Sequence, residues 1–162
     1  MREVTRGKAL LLINDRVDVA QACGADGVHL PENGLPTPIA RWLMGRNALV
    51  GCSVRSAEAA AQAEKDGVDL VQLGTIFASP SKPDSPPAGP EFLREVADAV
   101  SVPVLAVGGV TPQNAAEAIA AGASGAAVIS AICGADDPKG AAKALIEAMT
   151  EAWNQRRAGK KA

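Results

Sequence analysis

Two glycines and a capping sequence stand directly after an apolar run, where Val102-Pro103-Val104-Leu105-Ala106-Val107 leads into Gly108-Gly109-Val110-Thr111-Pro112-Gln113-Asn114. Glycines at a strand end let backbone N–H groups approach a ligand with no Cβ in the way. Thr111 suits a helix cap and Pro112 the first helical position, so the run reads as a strand, a glycine turn and a helix start. The helix would aim unpaired N–H groups and the positive end of its dipole at whatever sits above the strand. The chemistry of such a place is phosphate binding.

Further polar clusters follow other apolar runs. In Asn14-Asp15-Arg16, Asp15 is either a ligand for Mg²⁺, which keeps several waters and takes one or two carboxylates plus substrate phosphates, or a cap for a helix starting near Val17. In the turn Pro31-Glu32-Asn33-Gly34, Glu32 assists a cation or is simply solvated. In Ser53-Val54-Arg55-Ser56, Ser56 is an N-cap, Ser53 faces the site, and Arg55 is a donor fork for an anion or a surface residue. The longest connection runs from Gly74 to Pro90, and loops of that length are usually lids or binding loops. Within it Ser79, Ser81 and Lys82 can offer hydroxyls and a point charge to a diphosphate. Ser130-Ala131-Ile132 ends the last run.

Other residues point away from other chemistries. His29, the only histidine, lies inside an apolar run and reads as packed and hydrogen-bonded rather than as a metal ligand. Cys23, Cys52 and Cys133 are odd in number and widely spaced, which argues against a disulfide framework or a zinc knuckle and for buried or inert thiols. G-x-S-x-G, P-loop and Rossmann fingerprints are absent, so serine hydrolysis and nucleotide hydrolysis are poor fits.

The elements that must position these clusters are legible as well. Short apolar runs at Leu10 to Ile13, Gly27 to Leu30, Ala48 to Cys52, Leu70 to Leu73, Val102 to Val107 and Gly125 to Ile129 suit buried parallel strands. Between them lie Ala-rich segments with helical propensity, among them Ala57 to Lys65, Pro90 to Val100 and Asn114 to Ala121. A local repeat, Gly24-Ala25-Asp26-Gly27-Val28, Gly67-Val68-Asp69-Leu70-Val71 and Gly122-Ala123-Ser124-Gly125-Ala126, joins helix ends to strands. Its leading glycine fits a left-handed C-cap and its polar residue a tight turn. Regular alternation predicts an α/β domain, and a closed (β/α) barrel explains the spacing better than an open sheet. A complete barrel has eight strands and this chain offers six, so residues 1–162 are expected to form a single barrel domain lacking the first two β/α units. Arg2 to Lys8 reads as the tail of a helix and its turn. The runs ending in Gly108 and Ser130 then become strands seven and eight, whose loops often form the phosphate site of this architecture.

Composition narrows the partners. The chain has 162 residues, 48% of them hydrophobic, and a formal net charge of −2, with two Trp, two Phe and no Tyr. There is neither a basic footprint nor a stacking platform for nucleic acid. No apolar run approaches the ~20 residues of a membrane span and the start has no signal-peptide core, so a cytoplasmic protein is expected.

Taken in order, Leu12-Ile13-Asn14-Asp15-Arg16-Val17-Asp18-Val19-Ala20, Gly24 to Leu30, Leu73 to Pro83, Val107 to Asn114 and Val128-Ile129-Ser130-Ala131-Ile132 closely resemble the thiamine phosphate synthase/TenI family. The resemblance implies a TIM barrel that joins hydroxymethylpyrimidine diphosphate to hydroxyethylthiazole phosphate and releases diphosphate in a Mg²⁺-dependent reaction. It further implies that Asn14 and Asp15 serve the diphosphate and Mg²⁺, with Asp15 the metal ligand. Ser53, Ser79, Ser81 and Lys82 would contact phosphate groups, while Gly109, Ile129 and Ser130, beside Gly108, hold the thiazole phosphate. Lys82 and Asp15 are the expected catalytic residues. Where the synthase branch carries Gly-Gln-Glu/Asp-Asp with a second metal ligand last, this chain has Pro31-Glu32-Asn33-Gly34. The Leu-Pro-Glu turn looks more like the TenI branch, a thiazole tautomerase, although Arg55 replaces the histidine typical of that branch. A non-catalytic phosphate-binding remnant is the third reading. Partners are expected to be small phosphorylated substrates and, because absent strands would leave sheet edges open, further copies of the chain.

Overall fold

The computed structural model describes residues 1–79, 83 and 85–159. Its contacts divide into two compact units, Met1–Val71 and Gln72–Ala162. The first unit contains α1 (Arg2–Thr5), β1 (Leu12–Asn14), α2 (Val17–Ala22), β2 (Gly27–Leu30), α3 (Thr37–Met44), β3 (Leu49–Val54), α4 (Ala57–Lys65) and the start of β4 (Leu70–Gly74). The second holds the end of β4, then α5 (Gly89–Ala99), β5 (Val104–Val107), α6 (Ala115–Ala120), β6 (Gly125–Ala127), α7 (Ser130–Cys133) and α8 (Pro138–Gly159). The strands lie in one sheet in chain order. All six expected strands are present, and the pairs β1–β2, β2–β3 and β5–β6 are parallel.

The repeated glycine turn explains this order. At Gly24, Gly67 and Gly122 φ is +61°, +91° and +112°, the left-handed conformation expected of the C-cap. The residue after each glycine donates its N–H back into the helix just ended, Ala25 to Ala20, Val68 to Ala63 and Ala123 to Ala118. The next N–H reaches the preceding strand region, Asp26 to the Leu11 carbonyl, Asp69 to Val50 and Ser124 to Val104. Each turn thus closes one helix and opens the next strand against the previous one. Two of the turns are tightened by their carboxylates, since Leu11 N–H donates to Asp26 and Val50 N–H to Asp69. Arg2 and Arg41 bind the same two carboxylates.

Packing follows the strand alternation. In the first unit Val28, Leu30, Val50, Cys52 and Val54 are buried with Ala20, Ala40, Ala60 and Ala63, small helix residues that permit close approach. On the opposite strand face His29 and Ser53 are only half-buried. In the second unit Leu73, Leu93, Val96, Val104, Ala106, Ile119 and Leu145 are buried, and α8 packs on α6. Arg156 ties these two helices by donating to the carbonyls of Ile119 and Ala123. No helix among the described residues is long and apolar enough to cross a membrane.

A comparison of two repeats tests the turn. A methyl group at Gly24 meets nothing within 4 Å, whereas at Gly122 it comes within 2.7 Å of Ala97 Cβ. Gly24→Ala should cost about 1–2 kcal/mol through the left-handed backbone alone, and Gly122→Ala distinctly more. Urea denaturation should show both lower midpoints at unchanged slope, with Gly122→Ala lower.

Candidate functional site

In the first unit the strand ends bring Asn14, His29 and Gly51 into register, and Ser53 lies two residues beyond Gly51 on the same face. His29 Nε2 stands 3.0 Å from Ser53 Oγ, so the expected packed, hydrogen-bonded histidine touches an expected site residue. Burial lowers its pKa, which keeps the imidazole neutral near pH 7. Asp15 follows β1 with φ of +64°, its N–H donating to the His29 carbonyl. The alternative role for Asp15 is not realised. The helix α2 takes Arg16 as N-cap with no side-chain hydrogen bond, which leaves the Asp15 carboxylate outside the cap. Arg16 itself turns to Asp18. Ser56, by contrast, caps α4 as expected, accepting the Ala59 N–H at 3.1 Å. Arg55 Nε pairs with Glu32 Oε2 at 2.5 Å, which joins the two exposed charges whose roles the sequence left open.

The fit of this cluster to Mg²⁺ turns on position 34. A Cβ there would lie 3.1 Å from Asp15 Oδ1, so a side chain at this position would face the Asp15 carboxylate, and Gly34 supplies none. Glu32 is engaged by Arg55. Among the described residues no three His, Cys, Asp or Glu side chains converge as a metal set. Asp15 is thus the one carboxylate of this cluster left without an ion-pair partner among the described residues, and a Mg²⁺ held by it would draw its other ligands from water and substrate phosphates.

The second unit contains a cavity of about 330 Å³ lined by Ala78, Ser79, residues 107–111 and residues 127–131. The expected Ser79, Gly108, Gly109, Ile129 and Ser130 thus meet around one space. Ile129 is 80% exposed and Ser130 opens α7. The two glycines have φ of +88° and +65°. A methyl group on Gly109 would stand 2.3 Å from the Ala78 carbonyl oxygen, and one on Gly108 2.6 Å from Thr75 Cγ2. The close approach is to the start of the long connection, whose Ile76 and Phe77 N–H groups donate to the carbonyls of Val107 and Gly108. Ala88 and Gly89 return to the carbonyls of Thr75 and Ile76, so both ends of the connection are fixed. Ser81 and Lys82 lie outside the described residues.

One expectation at this turn needs correction. The helix does not open at Thr111-Pro112, because α6 begins at Ala115 with Asn114 before it. Asn114 Oδ1 accepts the Thr111 N–H at 2.8 Å while its Nδ2 donates to the Gly109 carbonyl at 2.9 Å. The asparagine side chain thereby locks the glycine turn and uses the Thr111 amide internally. Of the three thiols, Cys52 is buried and Cys23 half-buried, while Cys133 is exposed.

A parallel α/β scaffold with a backbone-lined cavity and hydroxyls beyond its strand ends defines the class, an α/β protein with a candidate ligand site at its strand ends. The chain belongs to the thiamine monophosphate synthase family, whose model matches residues 1–132. It is 46% identical over 154 residues to the thiamine-phosphate synthase of Moorella thermoacetica, covering 94% of this chain and 73% of that protein. It is also 46% identical over 148 residues to the thiamine biosynthesis bifunctional protein ThiM/ThiE of Symbiobacterium thermophilum, covering 91% of this chain and 31% of that protein. The chain therefore spans less than a third of that longer relative. Among solved structures, a thiamine phosphate pyrophosphorylase from Pyrococcus furiosus superposes with a TM-score of 0.84 at 39% identity, covering 93% of this chain and 73% of the other.

The thiols give a check on the site's surroundings. Burial, with a smaller contribution from the Asp66 charge, pushes the Cys52 thiol up to about 11. At pH 8 only about one Cys52 in a thousand would be thiolate. A thiol reagent should modify Cys133 in the folded protein and leave Cys52 intact until denaturant is added, as peptide mass mapping would show.

Proposed function

We propose that the chain carries out transferase chemistry, joining hydroxymethylpyrimidine diphosphate to hydroxyethylthiazole phosphate with release of diphosphate. The observation that carries this reading is the cavity walled by Gly108, Gly109, Ile129 and Ser130, a backbone cradle at the position expected for the thiazole phosphate. The six β/α units are read as strands three to eight of a (β/α)8-type barrel.

Each residue then has a task. Gly109, Ile129 and Ser130 seat the thiazole phosphate, with Gly108 permitting the close turn. Ser53, Ser79 and Ser81 donate to phosphate oxygens, and Asn14 orients the diphosphate. Asp15 holds Mg²⁺, which when bound neutralises charge on the diphosphate. The bond between the pyrimidine methylene carbon and the diphosphate oxygen breaks with its electron pair leaving on oxygen. The thiazole nitrogen then supplies the pair that forms the new C–N bond. Lys82 stabilises the negative charge that grows on the leaving oxygen.

A second reading, a TenI-type thiazole tautomerase working by proton transfer, is favoured by one observation, the glycine at the position that faces Asp15. Incubation with both substrates and Mg²⁺ separates the two. Equimolar thiamine phosphate and diphosphate are the expected products, and tautomer conversion without diphosphate release selects the isomerase. In the transferase assay Lys82→Ala should lower kcat by about 10²-fold or more. Ser130→Ala should chiefly raise KM for the thiazole phosphate, by about five- to tenfold.

A further inference from the structure

We propose that His29 is a positioning residue for Ser53, held as its Nε2–H tautomer so that the Ser53 hydroxyl proton is free to point at a phosphate oxygen. The inference rests on the reading in which Ser53 contacts a phosphate. His29 Nε2 is 3.0 Å from Ser53 Oγ, and either group can be the donor in that bond. A serine hydroxyl has one proton, and a phosphate oxygen presents only lone pairs. If Ser53 donates to His29 it has no proton left for an anion. If His29 donates to Ser53, the hydroxyl accepts from the ring and donates outward, and the two bonds reinforce each other.

The other ring nitrogen selects between these arrangements. His29 Nδ1 is buried and has no hydrogen-bond partner among the described residues. It lies over the neighbouring strand at Gly51, the residue paired with His29 in the register, where an added Cβ would come within 3.1 Å of Nδ1. A proton on Nδ1 would be a buried donor with no acceptor, an arrangement native structures avoid more strictly than an unused lone pair. Placing the proton on Nε2 leaves only a bare lone pair against the glycine. The requirement of the buried nitrogen and the requirement of the hydroxyl therefore lead to the same tautomer. Gly51 belongs to the device, because a larger residue would displace the ring from Ser53.

The single histidine makes this directly observable. In protein labelled with ¹⁵N-histidine, two-bond proton–nitrogen correlation at neutral pH should show Nε2 protonated and Nδ1 bare. Adding inorganic diphosphate should move the Nε2 resonance in the wild-type protein and leave it still in Ser53→Ala. Calorimetry should find diphosphate bound about five- to tenfold more weakly by His29→Leu, with His29→Gln, which restores an N–H near the Nε2 position, close to wild type. An Nδ1–H tautomer overturns the proposal, as does a His29→Leu protein that folds and binds diphosphate like wild type. Should His29→Leu fail to fold, the wild-type spectrum alone decides. If Ser53→Ala binds diphosphate unchanged while the Nε2–H tautomer is present, the phosphate contact fails and the tautomer assignment stands.

Discussion

The fold depends on one recurring hydrogen bond, the N–H just after a glycine turn donating to the carbonyl of the preceding strand region. It appears at Asp26, Asp69 and Ser124 with the same backbone logic each time. The left-handed glycine ends the helix, and the chain has no freedom left but to extend beside the strand it last made. Parallel direction and chain-order neighbours follow from that local step, consistent with the short connections of α/β units. Side chains reinforce it where they can, Asp26 accepting the Leu11 N–H and Asp69 the Val50 N–H. The strands β2, β4 and β6 inherit their places from these turns.

What gathers at the strand ends differs between the two units. The first presents side-chain chemistry, a carboxylate, a hydroxyl, an imidazole and an ion pair between Glu32 and Arg55. The second presents backbone, two glycines so close to the Thr75–Ala78 segment that no Cβ fits, with a serine opening a short helix across the cavity. Glycine is needed there for approach as much as for φ, and Asn114 holds the turn through both its amide atoms. The described residues that line the cavity carry no charged side chain.

The strands were legible because parallel strands covered on both faces read as short, nearly continuous apolar runs, and the glycine turns because few residues tolerate positive φ. Ser56 was legible for a similar local reason. Thr111 was misread because the sequence offers two capping side chains three residues apart, and only the folded turn shows that Asn114 reaches back to the Thr111 N–H. His29 meets Ser53 across 24 residues, a contact set by strand register and invisible to local pattern. The same is true of Glu32 and Arg55.

Asp15 illustrates a tension between folding and chemistry. Its φ of +64° belongs to the region where a side chain costs about 1 kcal/mol or more and where glycine would rest without penalty. Folding stability alone would favour glycine at position 15, yet the chain keeps a carboxylate there. The backbone of this strand end is thus held in a conformation its own residue disfavours, by the pairing of Asp15 N–H with the His29 carbonyl. Position 15 is a place where the molecule is less stable than its fold permits, and where glycine would gain stability only by giving up the carboxylate.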